Sequence, residues 1–126
     1  MKQEDEELLL KDLCARLPYG VKISVPSWDG EKQECIDKVD VLYSVNRDEY
    51  IKSTNEDYDF NIENIKPYLF PLSSMNEEQK KEWLYTLSSD YNITYDTIDW
   101  LNKNHFDYRN LIDKNLAIDC TNLNIY

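Results

Sequence analysis

Glycine is nearly absent: the 126-residue chain has Gly20, Gly30 and no others. Loops that cradle phosphates, whether of the Walker or the dinucleotide type, need several glycines so that backbone amides can reach the phosphate oxygens. Two isolated glycines exclude both. Histidine occurs once, at His105, so a Ser-His-Asp or Cys-His arrangement must use it, with Ser88, Ser89 or Cys120 brought beside it by folding. It lies in Asn104-His105-Phe106-Asp107 between two predicted helices, where a turn histidine bonding a helix end is the commoner arrangement, and no catalytic spacing accompanies it. The predicted set of catalytic residues is therefore empty. Cys14, Cys35 and Cys120, 21 and 85 residues apart, lack the close pairing by which one tight turn positions two zinc ligands. They read as reduced thiols packed as small hydrophobes. No apolar run approaches a membrane span, and MKQEDEELLL lacks the basic flank and apolar stretch of a signal peptide, so the expected location is the cytoplasm.

Basic residues are also scarce, with 14 Lys and Arg against 25 Asp and Glu, a net charge of −11. Both halves of the chain are acidic, and the only adjacent basic pair is Lys80-Lys81. A surface of this kind repels phosphate backbones and anionic lipid, which argues against direct nucleic-acid or membrane binding. Solubility accounts for the charge most simply; a surface that meets a basic partner is the functional account.

What the chain does have is aromatic and apolar bulk. Three Trp, three Phe and ten Tyr, with 41% apolar residues, suffice for a core without disulfides. The densest stretch, Ile98 to Tyr126, holds Trp100, His105, Phe106, Tyr108 and Tyr126. The expectation is one domain over 1–126, β-rich over about 18–72 and helical over about 73–126.

Leu9, Leu13 and Leu17 line a helix over 4–17, widened by Leu10 and Cys14 and ended by Pro18 and Gly20. Val21, Ile23 and Val25 then alternate in a strand that Pro26 closes. Asp29-Gly30 is a hairpin turn with glycine taking the positive φ, and Cys35 to Val45 alternates again with Val39, Val41, Tyr43 and Val45 on one face. Asn46 to Glu49 reads as a turn and Tyr50-Ile51 as a returning strand. Pro67 and Pro71 bracket an extended segment suited to an edge, not to the middle of a sheet. Ser74-Met75-Asn76-Glu77 has the form of a capping box before a helix over 76–88 that buries Trp83, Leu84 and Leu87. Helices follow over 95–104, capped by Thr94 and burying Ile98, Leu101 and Trp100, and over 108–114, capped by Asp107. Leu116 to Tyr126 reads as a loop with room for a short strand. The resulting fold is α+β: an N-terminal helix, a small antiparallel sheet or partly open barrel of four or five strands, and a C-terminal three-helix cluster packed on it.

Residues 55–63 place Tyr58, Phe60 and Ile62 on one face of a predicted strand and Asn55, Asp57, Asp59, Asn61 and Glu63 on the other. Asp57, Asp59 and Asn61 match the first half of an EF-hand loop, but Ile62 stands where its glycine belongs and Tyr68 where its terminal glutamate belongs, so no metal is expected. Asp57, Asp59 and Glu63 remain as candidate partner-binding carboxylates, projecting as a row. The last two predicted helices have the spacing of a helix-turn-helix, but Arg109 and Lys114 share the would-be recognition helix with Asp113, behind Asp107, which does not suit DNA. Paired-carboxylate hydrolysis has no discriminating signature among 25 acids.

Three blocks carry a resemblance: LLLKDLCARLPYGVKISV, IKPYLFPLSSM, and DWLNKNHFDYRNLIDKNLAI with the closing LNIY. Together they resemble a recurrent group of small uncharacterised proteins encoded by phages and prophages of anaerobic gut bacteria, a group with no established activity, cofactor or catalytic residue. The resemblance covers most of the chain outside residues 27–60 and implies a bacterial host cytoplasm. By elimination, the expected function is that of a non-enzymatic accessory protein, without cofactor, that binds a host or viral protein. Its sharpest version is interference with a host defence or nucleic-acid-handling protein. Two alternatives stay open: a small-molecule, nucleotide-binding or enzymatic protein with an aromatic pocket, and a structural or packaged virion component, which would self-associate.

Overall fold

Leu9, Asp12, Leu13 and Arg16 recur at intervals of three and four, and all four are buried on one face of helix α1, Gln3–Arg16. Glu4, Asp5 and Glu6 occupy its first turn, where the helix dipole favours anions. A single 3₁₀ turn, Leu17–Tyr19, ends it, and Gly20 follows at φ 66°, a left-handed cap that a Cβ would strain. The computed structural model describes residues 1–46, 48 and 50–126.

Strands β1, Lys22–Asp29, and β2, Glu34–Val45, pair antiparallel, with Lys22 opposite Val41 and Asp29 opposite Glu34. β1 runs through Pro26 instead of stopping there. The bond from Leu42 N–H to Val21 O sets the phase of the ladder, so Pro26 turns its missing N–H away from β2 and costs no rung. At the hairpin tip the Asp29 carboxylate accepts from Glu31 and Lys32 N–H, and Gln33, not Gly30, takes the positive φ. Cross-strand partners share a face, so the buried Val21 and Ile23 draw Leu42 and Asp40 inward. Of the four residues expected on one face of β2, Val39 and Tyr43 are exposed, whereas Val41 and Val45 are half-buried.

Asn46 accepts from Asp48 and Tyr50 N–H in the next turn, which otherwise lies outside the described residues at Arg47 and Glu49. β3, Tyr50–Ser53, pairs with β2 across a bulge at Leu42/Ser44, and β4, Phe60–Asn61, pairs with β3. β5, Lys66–Pro71, lies inside the sheet and not at its edge. Its even-numbered residues meet β1 at Lys66, the Tyr126 hydroxyl at Tyr68 and the following segment at Phe70. Its odd residues face the other way, where Leu69 O accepts from Cys120 N–H. Pro67 and Pro71 flank that contact and remove no bond from it.

Helices α2, Glu77–Thr86, and α3, Tyr95–Lys103, form an antiparallel pair. The capping box of α2 is Asn76 with Gln79, each side chain bonding the other's backbone N–H, while Ser74 turns back to Pro71 O. Thr94 and Thr97 do the same for α3. β6, Phe106–Asp107, and β7, Ile118–Asp119, add two-residue parallel strands to β5.

The described residues thus form three α-helices in all and a mostly antiparallel open sheet in the order β4-β3-β2-β1-β5-β6, with β7 also on β5. The expected third C-terminal helix over 108–114 is a series of turns. Asp107 does cap there, accepting from Leu111 and Ile112 N–H, but Asn110 and Asn115 take left-handed backbone angles of 63° and 59°, which no α-helix accommodates. The core is largely aliphatic: Leu9, Leu13, Val21, Ile23, Ile51, Ile65, Leu69 and Leu111 are inaccessible to solvent, each worth roughly 1.5–3 kcal/mol of burial, with Phe60, Phe106 and Tyr68 as buried aromatic members.

Candidate functional site

The α2–α3 pair touches mainly along one side. Thr86 and Thr97 hydroxyls bond each other at 3.1 Å, and Trp100 Nε1 donates to Glu82 at 3.3 Å. Trp100 stacks on Phe106 at 5.5 Å and is half-buried, where full burial was expected. Every residue of α2 keeps solvent exposure, because the helix rests on α3 and not on the core; Leu84, expected inside, is 50% exposed. What opens on the free side is an apolar groove of about 480 Å³ lined by Trp83, Ile98, Leu101, Met75, Leu72 and Ile93, with Lys80 and Tyr108 as its polar members.

Two depressions adjoin this groove. One of about 340 Å³ shares Ile93 and Ile98 with it and continues past Tyr95. The other, of about 420 Å³, shares Leu72 and is lined by Asp107, Asp113 and Asp119 with no basic side chain. Hydrogen bonds from Thr121 N–H and hydroxyl hold the Asp119 carboxyl below its usual range, against a small opposing effect of burial. Ile93 and Tyr95, which line these depressions, are 65% and 92% exposed.

The carboxylates singled out in the sequence lie elsewhere. Asp57, Asp59 and Glu63 are exposed, but the strand meant to align them is only two residues long. Asp40 accepts from both Asn55 N–H and its side-chain amide, which turns the chain at 54–55, and Asn61 caps a 3₁₀ turn holding Glu63. Asp57 sits in a bend, Asp59 lies 3.9 Å from Lys52, and Tyr58 is half exposed. No row forms.

A second cluster was missed. Asp12 bridges Arg16 at 2.9 Å and Arg109 at 2.7 Å; Arg16 also donates to Phe106 O, and both guanidinium groups lie over the Tyr108 ring, at 5.4 and 4.5 Å from its centre. Its signal was present, since Asp12 and Arg16 fall in phase with Leu9 and Leu13. Arg109 is thereby committed to an internal ion pair. Behind this cluster His105 stacks on Tyr126 at 3.8 Å. Burial pushes its pKa down to about 4, with Arg16 and Lys22 adding to the effect. Its Nδ1 finds no hydrogen-bond partner among the described residues. Of the cysteines only Cys120 is buried, and burial raises its thiol to about 11; Cys14 and Cys35, expected inside, are exposed. Among the described residues no three His, Cys, Asp or Glu side chains converge as metal ligands, and no helix is long and apolar enough to cross a membrane.

No protein family, curated protein or solved structure matches the chain.

Proposed function

We propose that this is a small, acidic, non-enzymatic accessory protein of a phage or prophage that binds a host or viral protein in the bacterial cytoplasm, with the α2–α3 groove as its binding face. The observation that carries this reading is the open apolar groove at Trp83, Ile98 and Leu101, with the exposed Ile93 in its lining and the exposed Tyr95 in the depression beside it. Contiguous exposed apolar surface marks interaction sites, and Tyr, Trp and Met are the residues that interfaces enrich. The polar side-chain groups of the groove lining are few, Lys80, the Trp83 indole N–H and a Tyr108 hydroxyl already bonded to Asn102, which favours protein binding over a small-molecule or enzymatic role. The resemblance supports the phage context. The net charge of −11 favours a partner that itself grips nucleic acid, such as a host defence or nucleic-acid-handling protein.

A photo-crosslinking residue placed at Tyr95 in the producing cells should give a discrete adduct that Ile98→Arg abolishes, with the variant's melting temperature unchanged. The same probe at Tyr43 on β2 should give none. An adduct at Tyr43 that persists in Ile98→Arg would move the binding face to the sheet.

A further inference from the structure

We infer that the occupant of the groove is a peptide segment of the partner carrying a bulky apolar anchor next to a lysine or arginine: the anchor enters the groove at Trp83, Ile98 and Leu101, and the cation crosses Leu72 to lie among Asp113, Asp119 and Asp107. This rests on the groove being the binding face and adds the chemistry of what fills it.

Three features fix the occupant. The groove shares Ile93 and Ile98 with one depression and Leu72 with the other, so a chain segment can reach from one into the next. The chemistry changes along that path, from an apolar lining to three carboxylates. Those carboxylates differ in their commitments: both oxygens of Asp107 are taken by the N–H groups of Leu111 and Ile112, whereas Asp113 is exposed and Asp119 has Thr121 on one oxygen. Asp113 and Asp119 are therefore the pair that receives a cation, with Asp107 adding its charge from behind. A second copy of this chain is the wrong occupant, because two molecules at −11 repel and the same acids would face each other.

The test is a display selection of random twelve-residue peptides on the purified protein, with the selected peptides then titrated against wild type, Asp113→Asn with Asp119→Asn, and Ile98→Arg. Asp113→Asn alone serves as a second variant, since its side chain lies outside the core. The expected consensus is a Trp, Leu, Phe or Met at fixed spacing from a Lys or Arg. Affinity should fall about tenfold in the double Asn variant, through the lost charge pairing, and vanish in Ile98→Arg. Rising salt should weaken wild-type binding and leave the double Asn variant nearly unaffected. An apolar consensus without a basic residue, or an affinity unchanged by the Asn substitutions, overturns the inference and leaves the groove reading standing. Peptides indifferent to Ile98→Arg overturn both. A dimer in sedimentation that Ile98→Arg dissociates would make a second copy the occupant and overturn the inference.

Discussion

Asp12 and Arg16 are fully enclosed, and the pair endures because each charge is matched: Asp12 by Arg16 and Arg109, Arg16 by Asp12 and the Phe106 carbonyl. A buried ion pair contributes little net stability against an apolar pair of the same shape, yet removing one member strands the other. Asp12→Ala should therefore lower unfolding stability by about 3–5 kcal/mol, read from urea midpoints, and Asp12→Ala with Arg16→Met should recover much of that loss. A single-variant cost under about 1 kcal/mol would mean that water reaches Arg16 on opening of the cluster.

His105 makes the second residue-scale prediction. Its pKa is held down to about 4 in the folded protein against the ordinary 6.5 of the unfolded chain, so between these the unfolded chain binds the proton and the native one does not. The group's contribution is then complete above pH 6.5 and is lost as pH falls toward 4. His105→Phe keeps a ring against Tyr126 without a titrating nitrogen, so the variant should lose less stability than wild type between pH 7 and about pH 4.5. Equal losses in the two proteins would show that the imidazole protonates freely while folded.

At the scale of elements, the junction of β1 with β5 ends after two residue pairs, Ser24 with Lys66 and Ile23 with Pro67. Where the next rung would fall, the Tyr126 hydroxyl accepts from Lys22 N–H at 2.8 Å and donates to Tyr68 O at 2.9 Å. The ring also lies on His105, packs near Phe70 at 5.8 Å and sits under the Lys22 ammonium, which bonds Ile125 O. A residue from the far end of the chain thus completes the sheet. Tyr126→Phe keeps the stacking and deletes both bonds, and should cost about 1–3 kcal/mol in urea unfolding, with faster amide exchange at Lys22. Unchanged exchange there would mean that water substitutes fully for the hydroxyl.

The helices show the same dependence on context. α2 and α3 are each closed by a capping box written locally in the sequence, so their starts need no tertiary help. Their placement does: α2 leans on α3, and the side chains that its period assigns to a core face open water.

For the molecule as a whole, local chemistry was legible in the sequence. The α+β class, the span of α1, the β1–β2 hairpin, Thr94 as a helix cap and the capping role of Asp107 all rest on contacts within a few residues. Each depends on periodicity, turn chemistry or a side chain bonding nearby backbone. Tertiary structure decided which faces were inside and what the site is. The parity of β2 followed from its partner β1, β5 became internal once β6, β7 and Tyr126 arrived from the C-terminal segment, and Asn110 and Asn115 broke a helix that an apolar spacing had suggested. The groove was invisible for the same reason. Trp83, Leu84 and Ile98 have the spacing of a buried stripe whether the surface opposite is core or solvent, and only the arrangement of distant elements determines which.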